Sequence, residues 1–140
     1  MVSWLQGCGR RCAAMSDGAG NLPRGPAGVL KAALWSWQGL RAAWRHESSF
    51  RLEVCLFALL APLALLAGQN GLERAVLIGA MVLVMAMELA NSAIEAVIER
   101  YGNQHHPLAG RAKDMGSAAV MLLMLNVLLC WALIVGPRLG

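Results

Sequence analysis

The sequence predicts an all-α membrane protein in which one amphipathic surface helix precedes three membrane-spanning helices. Of its 140 residues, 58% are hydrophobic and only 14% are charged, which is too apolar for an ordinary soluble domain. Three apolar runs are long enough to cross a bilayer core, and short polar segments separate them. The net charge is +4, but the basic residues flank the apolar runs instead of forming a patch. This distribution argues against a nucleic-acid-binding protein.

The N-terminal residues 1–27 are predicted to be a disordered tail. They are rich in Gly, Pro and Arg, show no apolar periodicity, and lack the hydrophobic core of a signal peptide. Met15, followed by Ser16 and Asp17, is expected to be the true start of translation. Residues 28–140 are predicted to form a single membrane domain.

Residues 29–45 are predicted to form an amphipathic helix. Apolar side chains recur there at steps of three and four residues, at Leu30, Leu34, Trp37, Leu40, Ala43 and Trp44. Lys31, Arg41 and Arg45 lie largely off that face, and Trp35 adds a third tryptophan. Tryptophan beside basic residues is typical of a helix lying in the membrane interface. Two interpretations remain open, a simple anchor and a wall of the active site.

Three spanning helices are predicted at residues 48–68, 73–100 and 114–136. Pro62 should kink the first, which a membrane helix tolerates when its neighbours satisfy the freed carbonyl group. A polar loop is expected from Gly102 to Asp114 because it contains the breakers Gly102, Asn103 and Pro107. Small residues four positions apart, such as Ala112 and Gly116, favour close packing between the spans.

The second predicted span carries a polar stripe. Glu88, Asn91, Glu95 and Glu99 fall within an arc of roughly 80° on a helix. An acid at membrane depth costs a few kcal/mol, so such groups usually face a protein interior and serve a function there. The alternative is a structural acid paired with an arginine of a neighbouring helix. We interpret the stripe as a functional site.

The depth of each acid suggests its chemistry. Glu88 is about 18 Å from Arg100 along the helix, and a poorly solvated carboxylate there is a candidate general base. Glu95 is nearer to water and, with Glu47, is predicted to bind Mg²⁺, which prefers oxygen ligands and keeps positions for substrate phosphates. The sequence contains no Walker motif, glycine-rich kinase loop or H-R-D element, which excludes a soluble-type kinase fold.

The distribution of Lys and Arg predicts the orientation. Seven precede the first apolar run, one lies in the first loop, three lie around the second loop and one lies at the C-terminus. The positive-inside rule then places the N-terminus and the second loop in the cytoplasm and the C-terminus in the periplasm. The acid-bearing end of the second span would therefore meet ATP. Arg111 and Lys113 are either phosphate ligands or topology signals only.

Three segments together resemble the bacterial integral-membrane diacylglycerol kinase family, which is related to the undecaprenol kinases. The segments are WSWQGLRAAWRHESSFRLE, ELANSAIEAVIER and GRAKDMGSAAV, and the resemblance runs from Val29 to the C-terminus. It implies a homotrimer in the inner membrane with sites shared between subunits. It also implies ATP and Mg²⁺ as cofactors, and the conversion of diacylglycerol to phosphatidic acid.

The resemblance also implies roles for single residues. Glu88 matches the catalytic base, Asn91 its polar neighbour, and Glu47 and Glu95 the metal-binding acids. The positions that match nucleotide contacts are Trp35, Glu47, Glu95, Gln104, His105, His106, Lys113 and Asp114. Those that match lipid contacts are Arg41, Trp44, Glu88 and Ser117. The sequence departs from the family pattern at Gly28, Gln104 and His105.

Three alternatives compete with the diacylglycerol kinase hypothesis. An undecaprenol kinase keeps the fold and changes only the lipid acceptor. A small proton-coupled exporter also uses an intramembrane glutamate, but it has no need for Glu47 or for Lys113 next to Asp114. A structural scaffold leaves the acid stripe unexplained. Protection of the second loop by nucleotide would separate a kinase from an exporter.

Overall fold

The computed structural model describes residues 26–100 and 106–138. Within these residues the protein is entirely helical, with no strand, which confirms the predicted all-α class. The helices are α1 (Pro26–His46), α2 (Ser48–Ala67), α3 (Gly71–Arg100) and α4 (Pro107–Val135), followed by a short 3₁₀ helix (Gly136–Arg138). Helix α1 already includes Pro26 and Ala27, which the sequence analysis assigned to the tail, because proline is well suited to the first turn of a helix.

The described residues fall into two units, one that ends at Gly39 and one that begins at Leu40. The described part of the first unit is the N-terminal portion of α1, where the Ser36 hydroxyl donates to the Ala32 carbonyl oxygen at 2.9 Å. In the second unit, α3 is the central helix and packs against both α2 and α4. The predicted location of α1 in the membrane interface stays a prediction.

Helices α2, α3 and α4 are each long and apolar enough to cross a membrane. With 20, 30 and 29 residues, they extend about 30, 45 and 44 Å. Most of their large apolar side chains are exposed in the single chain, including Leu66 at 83% and Leu133 at 67%. Such a surface is stable against lipid or other apolar helices, which agrees with three membrane spans.

The apolar core lies where α2 ends and α3 begins. Ala64 and Leu77 are fully buried there, and Met81 is nearly so. Phe57 of α2 and Trp131 of α4 pack around them. This core joins the three spanning helices at the end of the bundle away from Glu95, so the apolar and acidic parts of the protein are separated along α3.

Arg138 ties the C-terminal end of the bundle to the turn between α2 and α3. Its guanidinium group donates to the Ala67 carbonyl oxygen at 2.5 Å and to a Glu73 carboxylate oxygen at 2.7 Å. The Glu73 carboxylate also accepts from the Gln69 backbone N–H and the Asn70 amide. These bonds fix the ends of α2, α3 and α4 relative to one another.

Helix α4 begins seven residues earlier than the predicted end of the polar loop at Asp114. Pro107 occupies the first turn, and the His106 ring nitrogen Nδ1 accepts a hydrogen bond from the Leu108 backbone N–H at 3.2 Å. Proline is favoured at this position because the first helical N–H groups have no partner within the helix. The expectation that Pro107 breaks the helix was therefore wrong, and Lys113 and Asp114 lie on a helix.

Candidate active site

A polar cavity of about 350 Å³ lies among α2, α3 and α4. Four carboxyl groups line it, those of Glu47, Glu53, Glu88 and Glu95. Its other polar lining residues are Ser49, Asn91, Ser92 and Ser117. Acids in an apolar bundle are costly unless they share a functional environment, so this acidic cavity is the candidate active site.

Helix α3 supplies the centre of the acidic cavity. Glu88 and Asn91 are 7% and 8% exposed, although both are polar. The carboxyl group of Glu88 lies near the Ser49 side chain and near the carboxyl groups of Glu47 and Glu95. Three members of the predicted stripe are thus brought to one cavity by the structure. The fourth, Glu99, is exposed and does not line the cavity.

Glu47 lies at the corner between α1 and α2. It is the N-cap residue of α2, yet its side chain makes no capping hydrogen bond and lines the cavity instead. The Arg51 guanidinium group donates to the Trp44 and Arg45 carbonyl oxygens at 3.1 and 3.4 Å, which satisfies free carbonyl groups at the end of α1. The corner is held by Arg51, and the Glu47 carboxylate stays available to a ligand.

Lys113 brings a positive charge to the edge of the cavity. Its ammonium nitrogen lies 3.9 Å from a Glu95 carboxylate oxygen, and the two side chains are 44% and 31% exposed. An ion pair of this length and exposure contributes at most about 1 kcal/mol. Lys113 can therefore exchange Glu95 for an incoming anion at little cost.

Gly116 allows α4 to approach Asn91. A Cβ atom at Gly116 would overlap the Asn91 side-chain oxygen and come within 3.2 Å of its Cγ atom. That oxygen is buried and has no hydrogen-bond partner among the described residues. The absence of a side chain at Gly116 thus determines where the Asn91 amide lies, next to Glu88 in the cavity.

We expect Gly116→Ala to lower kcat for the predicted phosphorylation of a lipid by about tenfold, because the new methyl group displaces the Asn91 amide by steric overlap. The Michaelis constant for the predicted substrate ATP should change little. Gly110→Ala is the matched control, since it lies on the same helix with open space around its Cβ position. Steady-state kinetics of both variants checks this expectation. An unchanged kcat in Gly116→Ala would show that the position of Asn91 has no bearing on turnover.

Of the remaining predicted site residues in the described part of the chain, only Ser117 lines the acidic cavity. Trp35 lies in the first unit, on the N-terminal portion of α1. Arg41, Trp44, His106 and Asp114 are exposed, and none of them lines the cavity in the single chain. Gln104 and His105 lie outside the described residues. Ser117 does line the cavity, so of the predicted lipid contacts Glu88 and Ser117 are together there.

Glu53 is a cavity residue that the sequence analysis did not select. It is 7% exposed, and neither of its carboxyl oxygens has a hydrogen-bond partner in the described part of the chain. It falls within the first predicted span, at residues 48–68, where no site residue was assigned. The sequence feature that could have identified Glu53 is its spacing of four residues from Ser49, because this spacing places both side chains on one helix face.

An apolar cavity of about 330 Å³ adjoins the acidic cavity. The two cavities share Glu53 and Met124 as lining residues. The other residues of the apolar cavity come from all three spanning helices: Leu56, Phe57, Leu60, Met81, Val84, Met85, Val127 and Leu128. The acidic site is therefore bordered by a space suited to a hydrocarbon chain.

The donor set of the acidic cavity fits Mg²⁺. Among the described residues, no group of three His, Cys, Asp or Glu side chains is arranged to hold a metal ion. Mg²⁺ needs no such cage, because one or two carboxylates suffice when water and substrate phosphates complete its coordination. Glu47 and Glu95, which line one cavity, match that requirement for a metal that arrives with a nucleotide.

These features define a multi-pass helical membrane protein with an acidic site beside an apolar cavity. Residues 34–135 match the family model for prokaryotic diacylglycerol kinase, and the chain belongs to this family. It is 43% identical over 112 residues to a diacylglycerol kinase of Escherichia coli K12, which covers 80% of this chain and 92% of the relative.

Two further relatives carry the same name. The Haemophilus influenzae protein is 41% identical over 103 residues, covering 74% of this chain and 87% of the relative. The Pseudomonas aeruginosa protein is 42% identical over 106 residues, covering 76% and 86%. The resemblance inferred from the sequence is thus confirmed, and the protein is an enzyme of the bacterial inner membrane and not an exporter or a scaffold.

Proposed function

We propose that this protein transfers the γ-phosphate of ATP to the free hydroxyl of diacylglycerol and so forms phosphatidic acid. One observation carries the proposal: the acidic cavity and the apolar cavity share a boundary at Glu53 and Met124. A lipid alcohol lying across that boundary has its hydroxyl among the carboxylates and its hydrocarbon chain among Leu, Phe, Met and Val side chains. The names of the relatives support the same acceptor.

Glu88 acts as the general base. It is buried in the acidic cavity, where it accepts the proton from the lipid hydroxyl as that oxygen attacks the γ-phosphorus and ADP leaves. The side chains of Asn91 and Ser49 border the same carboxylate. They hold the base and the hydroxyl in the orientation that the transfer requires.

Glu47 and Glu95 are the residues that would hold Mg²⁺ together with the nucleotide phosphates. Bound there, the ion would supply positive charge against the negative charge of the transferred phosphoryl group. Lys113 leaves Glu95 as the phosphates enter, and its ammonium group then binds a phosphate oxygen. This exchange leaves the Glu95 carboxylate without its ion-pair partner, and so available as a ligand, when the phosphates enter.

The other assigned contacts are carried over from the family. Nucleotide contacts are assigned to Trp35, Glu47, Glu95, Gln104, His105, His106, Lys113 and Asp114. Lipid contacts are assigned to Arg41, Trp44, Glu88 and Ser117. The surface helix α1 lies in the membrane interface through its tryptophan and basic residues and brings Arg41 and Trp44 to the lipid.

The active protein is a homotrimer with the N-terminus in the cytoplasm and the C-terminus in the periplasm. Two observations support a larger assembly. The most apolar window of α4 is only 6% buried in a single chain, and exposed residues assigned to the nucleotide, such as Asp114, do not line that chain's own cavity. A neighbouring subunit supplies the missing walls. The orientation rests on the distribution of basic residues.

Transfer of labelled phosphate from ATP tests the function. The purified protein in mixed micelles is offered diacylglycerol and undecaprenol in parallel, with Mg²⁺ and with a chelator. Labelled phosphatidic acid as the Mg²⁺-dependent product is expected. Undecaprenyl phosphate as the main product would keep the mechanism and change the acceptor. No label in either lipid, from protein that remains folded, would refute the proposal.

A further inference from the structure

Glu53 has no role in the phosphate transfer described above, although it is one of the most buried polar residues. It is 7% exposed, and both of its carboxyl oxygens are buried without a hydrogen-bond partner among the described residues. It lines the acidic cavity and the apolar cavity at once. A buried polar group without a partner is rare in proteins, and a bound ligand is one explanation for it.

The surroundings of Glu53 favour a neutral carboxylic acid. No Lys or Arg of the described chain forms an ion pair with it, and the Glu88 carboxyl group lines the same cavity. Burying an unpaired charge beside a like charge costs far more than burying the protonated group. A protonated carboxyl group has one O–H donor. The boundary between the two cavities therefore offers a hydrogen-bond donor at the level where a lipid changes from polar to apolar.

We propose that Glu53 is a specificity residue that donates a hydrogen bond to an ester carbonyl oxygen of the lipid acceptor. This inference rests on the proposed function and identifies the acceptor class as a glycerol ester. In diacylglycerol an ester group is attached to the carbon next to the one that bears the hydroxyl. With the hydroxyl at Glu88, that ester reaches the boundary where Glu53 lies.

A polyprenol has no hydrogen-bond acceptor at the position of this ester carbonyl group. Beyond its hydroxyl it has only methylene, methyl and alkene groups, none of which is an effective acceptor. Binding a polyprenol would leave the Glu53 carboxyl group buried without a hydrogen-bond partner. This costs free energy, so a site that forms a hydrogen bond to one ligand discriminates strongly against a ligand that lacks the acceptor. Glu53 thus separates the two lipid acceptors that the sequence left open.

The test compares a 1,2-diacylglycerol with the 1,2-dialkylglycerol of the same chain length, which has the same hydroxyl and lacks both carbonyl groups. The wild-type protein should show a kcat/KM for the diester about tenfold higher than for the diether, which corresponds to one neutral hydrogen bond. Glu53→Gln retains an N–H donor and should retain most of this preference. Glu53→Leu should lower kcat/KM for the diester about tenfold and leave the diether nearly unchanged.

Glu99→Gln is the control, because it removes an exposed carboxyl group of α3 that lines neither cavity. It should behave as wild type on both lipids. Equal kcat/KM of the wild-type protein on diester and diether would overturn the role of Glu53 and leave the kinase function intact, whether or not the variants fold. A Glu53→Leu variant that loses activity equally on both lipids would also overturn the proposed role of Glu53 and leave the kinase function intact. No transfer to either lipid by the wild-type protein would refute the proposed function and this inference with it.

Discussion

Replacing Glu88 with Gln is expected to reduce kcat for phosphate transfer by about 10²–10⁴-fold, the usual contribution of a general base. Glutamine preserves the shape of the side chain but cannot accept the proton of the lipid hydroxyl. The substitution also removes one negative charge from a cavity that contains three other carboxyl groups. Nucleotide binding should therefore be retained or slightly strengthened.

Two measurements on the same purified protein separate catalysis from binding. Single-turnover transfer reports the chemical step, and equilibrium binding of a non-hydrolysable ATP analogue reports the nucleotide site. Glu99→Gln is again the matched control, since it removes an exposed carboxyl group of the same helix. Normal turnover in Glu88→Gln would remove Glu88 from the mechanism. Equal losses of turnover and nucleotide binding would assign it a role in binding instead.

Replacing Glu95 with Gln is expected to raise the Mg²⁺ concentration for half-maximal activity by at least roughly 10- to 100-fold, which is the loss seen when only a hydrogen-bond partner of a metal ligand is removed. An amide oxygen is a poorer ligand for a hard cation than a carboxylate. The change also removes the partner of Lys113. At saturating Mg²⁺ the rate should partly recover, which distinguishes a metal ligand from a base.

Lys113→Met is the companion variant for the metal assignment. It leaves both carboxylates in place and removes only the cation, so it should raise the Michaelis constant for ATP without changing the Mg²⁺ requirement. Titration of activity with Mg²⁺ at fixed ATP, and with ATP at fixed Mg²⁺, gives both quantities. A Glu95→Gln protein with an unchanged Mg²⁺ requirement would exclude Glu95 as a ligand.

Much of the candidate site could be predicted because it lies on one helix. Glu88, Asn91 and Glu95 are spaced three and four residues apart, and the regular geometry of a helix places them on one face without knowledge of any neighbour. Ser117 was found only through a family motif, and Lys113 was a candidate phosphate ligand with a topology signal as the alternative. The approach of α4 to Asn91 depends on Gly116, because a side chain there would overlap the Asn91 amide.

The start of α4 shows where local patterns failed. Proline and glycine within residues 102–114 indicated a loop, yet Pro107 opens a helix capped by His106. Proline disrupts a helix when it lies in the interior but is favoured in the first turn. Only the surrounding hydrogen bonds decide between these outcomes.

By itself, the sequence determined the membrane class, the helical content and the acidic face of α3, because each follows from composition or from periodicity along one segment. The tertiary structure alone decided that Glu53 belongs to the site and Glu99 does not. It also decided that an acidic cavity and an apolar one share a wall. Burial and cavity shape depend on contacts among three helices. The residue pattern of a single helix does not predict those contacts.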